Sequence, residues 1–121
     1  MTRRTERVNE LLRSDISEIL QREVKDPRLG VLFSVTEVEV AHDLKSARVY
    51  VSVMAGEDER ENAFRALKAA TPFVRRELRR RLTSLRYTPE LTFLRDESIE
   101  RGAHLSELIH QVEREHSEPL G

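Results

Sequence analysis

The chain has 121 residues, of which 38% are hydrophobic and 36% are charged, and its formal net charge is −1. This length fits one compact domain, and the absence of cysteine excludes disulfide bonds and cysteine-ligated zinc. No stretch approaches the roughly 20 apolar residues of a membrane span, and no apolar run with a cleavage site follows the N-terminus, so we expect a soluble cytoplasmic protein.

The first predicted element is an amphipathic helix over residues 5–24. Its apolar residues recur at helical spacing with charges between them: Val8, Leu11, Leu12, Ile16, Ile19, Leu20 and Val24. The sequence "KDPRLG" then ends the helix, because Pro27 cannot continue the hydrogen-bond ladder and disfavours helical dihedral angles at Asp26.

Two strands follow the first helix. Residues 32–41 are rich in β-branched side chains, and residues 46–54 alternate strictly, with Val49, Val51 and Val53 on one face. Only a few residues separate the two segments, so the sequence predicts an antiparallel hairpin.

A helix is predicted to begin in "GEDERENAF", because Glu57, Asp58 and Glu59 suit the positive end of a helix dipole. Thr71 is a good N-cap and Pro72 suits a first helical position. The sequence therefore predicts that Ala70, Thr71 and Pro72 end this helix and start another at an angle, running to about Leu85.

The remaining segment contains a short strand and a last helix. The strand is "PELTFL", and residues 98–115 have the apolar spacing of a helix that Gly102 weakens by about 1 kcal/mol relative to alanine. We expect a single domain over residues 1–116 and a frayed tail over residues 117–121. The fold class is α+β.

Positive charge is concentrated in one part of the chain. Residues 65–86 contain eight basic residues and one acidic residue, whereas residues 29–64 carry a net charge of −4 and residues 96–121 carry −5. The nearly neutral total thus conceals a basic segment that a polyanion would meet directly. Within its helix, Val74, Leu78, Leu82 and Leu85 fall on one arc and most arginines on the opposite arc.

Three segments of the chain carry a family resemblance. The sequences "ILQREVKDPRLG", "SVTEVEVAHDLKSARVYVSV" and "PELTFLRDESIERGAHLSELI" occur in this order with the family's spacing, and together they resemble ribosome-binding factor A. The resemblance implies a type II K-homology fold, with helices on one face of a three-stranded sheet. It also implies binding to the free small ribosomal subunit through 16S rRNA, and a role in late maturation of that RNA in bacteria.

The chain differs from common K-homology patterns at the centre of the basic segment. K-homology domains usually clamp single-stranded RNA with a GxxG loop, and this chain contains no GxxG. The family has an Ala-x-Gly kink at the corresponding point, which here is Ala70-Thr71-Pro72. Proline replaces the kink glycine, so we expect the bend to form by a different mechanism and to be stiffer.

The candidate RNA-binding residues are the cations of the basic segment other than Arg81, with Arg28 of the "KDPRLG" turn as a minor candidate. A solvated helix face would show mixed charges, but Arg75 with Arg79 and Arg76 with Arg80 are like-charge pairs four residues apart, with only Glu77 to offset them. A face that destabilises its own helix indicates an external anion. The full candidate set is Arg28, Arg65, Lys68, Arg75, Arg76, Arg79, Arg80 and Arg86.

Other features have simpler explanations. The N-terminal Arg3, Arg4 and Arg7 suit phosphate contact and solubility about equally, and Tyr50 is a weak candidate for base stacking. The four histidines are not spaced as a metal-ligand pair, and no phosphate loop, nucleophile elbow or HExxH motif supports an enzyme. We therefore expect no cofactor, no metal and no small-molecule substrate.

Two functions remain open on the sequence alone. The first is a monomeric assembly factor that binds the small ribosomal subunit through 16S rRNA without catalysis. The second is a protein-interaction module that uses its amphipathic terminal helices. The segregated charge favours the first, because it has no role in the second, and the salt dependence of binding separates the two.

Overall fold

A computed structural model describes residues 3–83 and 85–98 of the chain. The described elements are α1 (Arg3–Arg22), β1 (Leu32–Val40), β2 (Ser46–Met54), α2 (Glu57–Arg81) and β3 (Glu90–Arg95). The two helices pack on a three-stranded sheet, which confirms the predicted α+β class and is consistent with a K-homology-like fold. Apart from Ser98, the predicted last helix over residues 98–115, with its weakening at Gly102, and the predicted tail lie outside the described residues.

The sheet has the order β1-β2-β3, with β1 antiparallel to β2 and β3 parallel to β2. The hairpin prediction is confirmed, and Phe33 pairs with Val53 while Val35 pairs with Val51. A β-bulge then shifts the register between Val35 and Glu37. The bulge coincides with a one-residue shift in the alternation of apolar residues along β1. Without the extra residue of the bulge, the Val38 side chain would point away from the core.

Helix α1 buries one side against β1. Leu12, Ile16 and Ile19 are fully buried there, and they share one core cluster with the inward valines of β2. The Asn9 side chain accepts a hydrogen bond from the Val40 backbone N–H at 2.8 Å, which fixes the helix along the strand. As predicted, the helix ends before Pro27, which begins a short 3₁₀ turn over Pro27–Leu29.

Helix α2 differs from the prediction because it continues through Pro72. It is one helix over Glu57–Arg81, so the predicted division into two helices at Ala70–Pro72 is wrong. Thr71 is not an N-cap: its Oγ1 donates a hydrogen bond to the Leu67 carbonyl at 3.0 Å, one turn earlier. Leu67 and Val74 are fully buried on either side of the proline, and this packing keeps the segment helical despite the missing N–H.

The start of β3 is fastened to the end of the β1–β2 hairpin. The Glu90 N–H donates to the Lys45 carbonyl at 2.9 Å, and Ser46 pairs with Glu90. Pro89, immediately before the strand, is fully buried. The loop that follows α2 is therefore held next to the hairpin turn. In the part of the chain that the structure describes, neither helix is long and apolar enough to cross a membrane.

Candidate nucleic-acid interface

Three arginines of the last turns of α2 project into solvent. Arg76, Arg79 and Arg80 are all exposed, and their spacing of three and four residues places them on one side of the helix. We call these three residues the arginine face. Of these three arginines, only Arg80 forms an ion pair with a described residue: its guanidinium lies 3.3 Å from the Glu77 carboxylate. The Arg80 side chain nevertheless remains 77% exposed.

Arg76 and Arg79 have weaker contacts. The Arg76 guanidinium lies 6.0 Å from the centre of the Phe73 ring, and Arg79 Nε lies 3.5 Å from the Thr88 hydroxyl. Both distances are at the outer limit for such interactions. The guanidinium groups of the arginine face thus keep most of their hydrogen-bonding capacity for an external anion.

A groove runs between the first half of α2 and β3, with a volume of about 640 Å³. Arg65 and Lys68 contribute its cations, and Phe64, Leu91 and Phe93 contribute apolar surface. Glu61 is the one acidic residue among its lining side chains. Since β3 lies at an edge of the sheet, the groove is open at the side of the molecule. Cations beside apolar surface suit a nucleic-acid chain, whose phosphates and bases need different environments.

Arg75 is placed differently from the other predicted RNA-binding arginines. It is half-buried, and its guanidinium donates to the Pro89 carbonyl at 3.0 Å and to the Thr88 carbonyl at 3.1 Å. These two bonds attach the end of the α2–β3 loop to α2. The backbone contacts use much of the donor capacity that a phosphate would need.

Arg81 joins the two helices. Its guanidinium lies 3.2 Å from Glu23, 3.5 Å from Glu18 and 3.8 Å from Asp15. Desolvation lowers the pKa of Arg81, but the hydrogen bond that its guanidinium donates to Glu23 and the charges of the three carboxylates raise the pKa overall. Arg81 is not in the candidate set, and the structure shows that it faces α1.

The last cation of the candidate set, Arg86, lies near Tyr87 and Lys45, which are not in that set. The Tyr87 ring has the Arg86 guanidinium at 5.5 Å and the Lys45 ammonium at 5.8 Å from its centre. Lys45 comes from the β1–β2 turn, some forty positions earlier in the chain. Only the parallel pairing of β2 with β3 brings it here, and a parallel register is not encoded in local sequence pattern.

Arg28 is paired within its own turn. Its guanidinium lies 2.7 Å from the Asp26 carboxylate, and Asp26 also accepts the Arg28 backbone N–H at 3.0 Å. The hydrogen bond from the Arg28 side chain is the main cause that lowers the pKa of Asp26, and the same bond raises the pKa of Arg28. The Arg28 side chain is 42% exposed, so it stays accessible although it is already paired.

The N-terminal arginines lie close to the loop after α2. Arg3, Arg4 and Arg7 line a shallow groove together with Val8 and Leu85. Arg4 also borders a small depression formed with His42 and Leu44 of the hairpin turn. Tyr50 is half-buried on β2. Among residues 3–83 and 85–98, no group of three histidine or acidic side chains is arranged to hold a metal ion.

The comparisons with known proteins agree with one another. The family model described as ribosome-binding factor A matches residues 4–109. A ribosome-binding factor A from Acetivibrio thermocellus is 52% identical over 109 residues, which are 90% of this chain and 88% of that one. The chain belongs to the ribosome-binding factor A family. The resemblance inferred from the three sequence segments is therefore confirmed.

Solved structures of ribosome-binding factor A share this fold. The crystal structure of the Thermus thermophilus protein is 31% identical, with a TM-score of 0.68 over 78% of this chain and 97% of that chain. A homology model of the same protein, fitted into a cryo-EM map of its complex with the 30S subunit, has a TM-score of 0.60 at 31% identity, over 74% of this chain and 91% of that one.

Proposed function

We propose that this protein is an assembly factor that binds the free small ribosomal subunit through 16S rRNA in the cytoplasm and assists late maturation of that RNA without catalysing a reaction. A ribosome-binding factor A has been fitted into the map of a 30S complex, and this chain shares its family and fold. The observation that carries the proposal is the arginine face: three neighbouring guanidinium groups, exposed at the end of a helix, have one carboxylate partner among the described residues.

The rest of the basic surface extends from this face in two directions. Arg65 and Lys68 continue it along α2 toward the groove beside β3, and Arg86 continues it into the following loop. The binding is mainly to phosphates and RNA shape, because cations outnumber exposed aromatic side chains on this surface. We assign Arg75 a positioning role, since its guanidinium holds the loop next to these cations.

The protein-interaction alternative has less support. The apolar residues of α1 that would face a partner helix are used by the protein's own core: Leu12, Ile16, Ile19 and Leu20 are at most 2% exposed. Leu11 is the only large apolar residue of α1 that is exposed, and a single leucine does not form an interface. The last predicted helix lies almost entirely outside the described residues.

The test replaces Arg76, Arg79 and Arg80 together by glutamine and measures co-sedimentation with purified small subunits. We expect affinity to fall at least about tenfold, because the phosphate contacts of the arginine face are lost. Stability should change by no more than about 0.5 kcal/mol per site, since all three side chains are exposed.

A matched control removes the same number of positive charges elsewhere. The Arg13→Gln, Arg22→Gln and Arg48→Gln variant changes side chains of α1 and β2 outside the proposed surface. It should bind subunits nearly as the parent does. Unchanged binding by the arginine-face variant would contradict the proposal, and equal losses in the two variants would show only a general attraction of charge. Crosslinking of the parent to the subunit then identifies the RNA positions.

A further inference from the structure

Tyr87 is an exposed aromatic side chain close to two cations. It is 53% exposed, and it is the only aromatic residue among the large exposed hydrophobic side chains of the described chain; the others are Leu11, Leu32 and Met54. The Arg86 and Lys45 charges lie 5.5 and 5.8 Å from its ring centre. We call Lys45, Arg86 and Tyr87 the Tyr87 cluster. A ring so exposed has no role in the core, so its position calls for another explanation.

The backbone that carries Tyr87 is held at several points. Arg75 binds the carbonyls of Thr88 and Pro89, the two residues that follow Tyr87, and the Pro89 side chain is fully buried. The Glu90 N–H bonds to the Lys45 carbonyl, which also positions Lys45 beside the ring. An exposed ring on an anchored segment loses little conformational freedom when a ligand covers it, and such preorganisation favours binding.

The surroundings of the Tyr87 cluster favour an anionic ligand. Leu85, two residues before Tyr87, shares a shallow groove with Arg3, Arg4 and Arg7 at the start of α1. The hairpin turn that provides Lys45 also borders Arg4. Cations of the first helix, the hairpin turn and the loop after α2 thus occupy the same end of the molecule. An aromatic ring among cations matches a nucleic acid, which presents flat bases and phosphates together.

We propose that Tyr87 stacks on an unpaired base of the RNA, while Lys45 and Arg86 neutralise the phosphates beside that base. This inference rests on the proposed function, because it names a further contact of the same RNA-binding protein. Bases of a duplex are stacked on one another and do not offer a free face, so the contact selects single-stranded RNA. The arginine face contributes charge, and the Tyr87 cluster contributes the preference for an unpaired nucleotide.

The test compares Tyr87→Leu, Tyr87→Phe and Tyr87→Trp in the full chain, with fluorescence anisotropy as the measure of binding. The probes are an unstructured, labelled single-stranded RNA oligonucleotide and a labelled RNA duplex. Tyr87→Leu keeps an apolar side chain but removes the aromatic face, so affinity for the single strand should fall about tenfold while affinity for the duplex stays the same. Tyr87→Phe should bind as the parent does, because the described structure gives the Tyr87 hydroxyl no hydrogen-bond partner.

Tyr87→Trp reports stacking directly. The chain contains no tryptophan, so this variant has a single indole whose emission the stacked base should quench. The salt dependence of Tyr87→Leu should equal that of the parent, because no charge has changed. This result separates a lost stacking contact from a lost phosphate contact.

Three outcomes would overturn the inference. They are parent-like single-strand binding by Tyr87→Leu, unchanged indole emission on binding, and a parent that binds small subunits but not the single strand. In all three the proposed function survives if the parent binds small subunits and the arginine-face variant does not. A parent that does not bind small subunits would overturn both proposals.

Discussion

Arg80 and Arg81 are neighbours in sequence with opposite surroundings. The Arg80 side chain is 77% exposed and pairs with Glu77 of its own helix, whereas the Arg81 side chain is 25% exposed and lies among carboxylates of the α1 region. Arg81→Gln would leave those carboxylates without their shared cation and close to one another. We expect its free energy of unfolding to fall by about 1–2 kcal/mol, with little change in affinity for small subunits.

Arg80→Gln is the control for this prediction because it removes the same group one residue away. Its stability should stay within about 0.5 kcal/mol of the parent, and its affinity for small subunits should decrease. Urea unfolding and subunit co-sedimentation of both variants check the prediction. If Arg81→Gln lost affinity without losing stability, the ion pairs to α1 would be secondary and Arg81 would belong to the RNA surface.

Sequence pattern located these arginines on a helix but did not distinguish their roles. A helical projection separates the buried arc from the exposed arc, and this projection correctly placed Arg76, Arg79 and Arg80 outside the core. The projection also placed Arg75 on the exposed arc. In the structure, Arg75 is instead half-buried, and its guanidinium is bound to backbone carbonyls of the loop after α2. The partner of Arg75 comes from a segment more than ten residues away, so no local pattern could reveal it.

At the scale of elements, α2 contains two adjacent residues that disturb a helix. Pro72 lacks the N–H that would donate to the Lys68 carbonyl, and the Thr71 hydroxyl competes for the Leu67 carbonyl. Both effects favour a bend, and a bend here would set the direction of the arginine face. The sequence correctly identified this point as exceptional, but it predicted two helices because local propensity does not include the burial of Leu67 and Val74.

Pro72→Ala tests the cost of proline inside a continuous helix. Pro72 is exposed, so alanine removes no core contact, and it restores an N–H in line with the Lys68 carbonyl. We expect the free energy of unfolding to rise by about 1–3 kcal/mol, because proline in a helix interior is about 3 kcal/mol less favourable than alanine. A straighter α2 should also aim the arginine face differently and weaken binding to small subunits.

Thr71→Val is the companion variant, since it removes the hydroxyl and keeps the side-chain volume. It should change stability by less than about 1 kcal/mol. Urea unfolding gives the stability of both variants, and co-sedimentation gives their binding. If Pro72→Ala were no more stable than the parent, the proline would cost nothing here. If it were more stable and bound subunits equally well, the core alone would set the direction of α2.

The bulge in β1 is a case in which the sequence contained a signal that the prediction did not use. Apolar residues alternate through Phe33 and Val35 and then resume at Val38, so the phase slips by one residue. The prediction gave the strand and its hairpin partner correctly, because alternation and β-branching are local properties. The sequence pattern did not predict that β3 pairs in parallel with β2, because that pairing depends on the path of α2 across the sheet.

For the whole molecule, the separation of charge matters more than the total. Residues 65–86 carry a net charge of +7 in a chain whose formal charge is −1. The structure adds to this segment the Arg3, Arg4 and Arg7 side chains, which lie beside the following loop. Under the proposed function RNA contacts this basic surface, because a polyanion responds to the local field of the basic residues and not to the net charge of the whole chain.

The dependence of subunit binding on salt measures this surface. If about four to six phosphates are neutralised, a plot of log K against log salt concentration should have a slope between roughly −3 and −5. In the variant that lacks Arg76, Arg79 and Arg80, three contacts are lost, so the slope should become shallower by about 2 to 3. Tyr87→Leu should weaken binding at every salt concentration and keep the parent's slope, because stacking releases no counterions. If the parent protein binds 16S fragments with a salt slope near zero, the electrostatic account of this surface is wrong. The terminal helices would then be the better candidates for the binding elements.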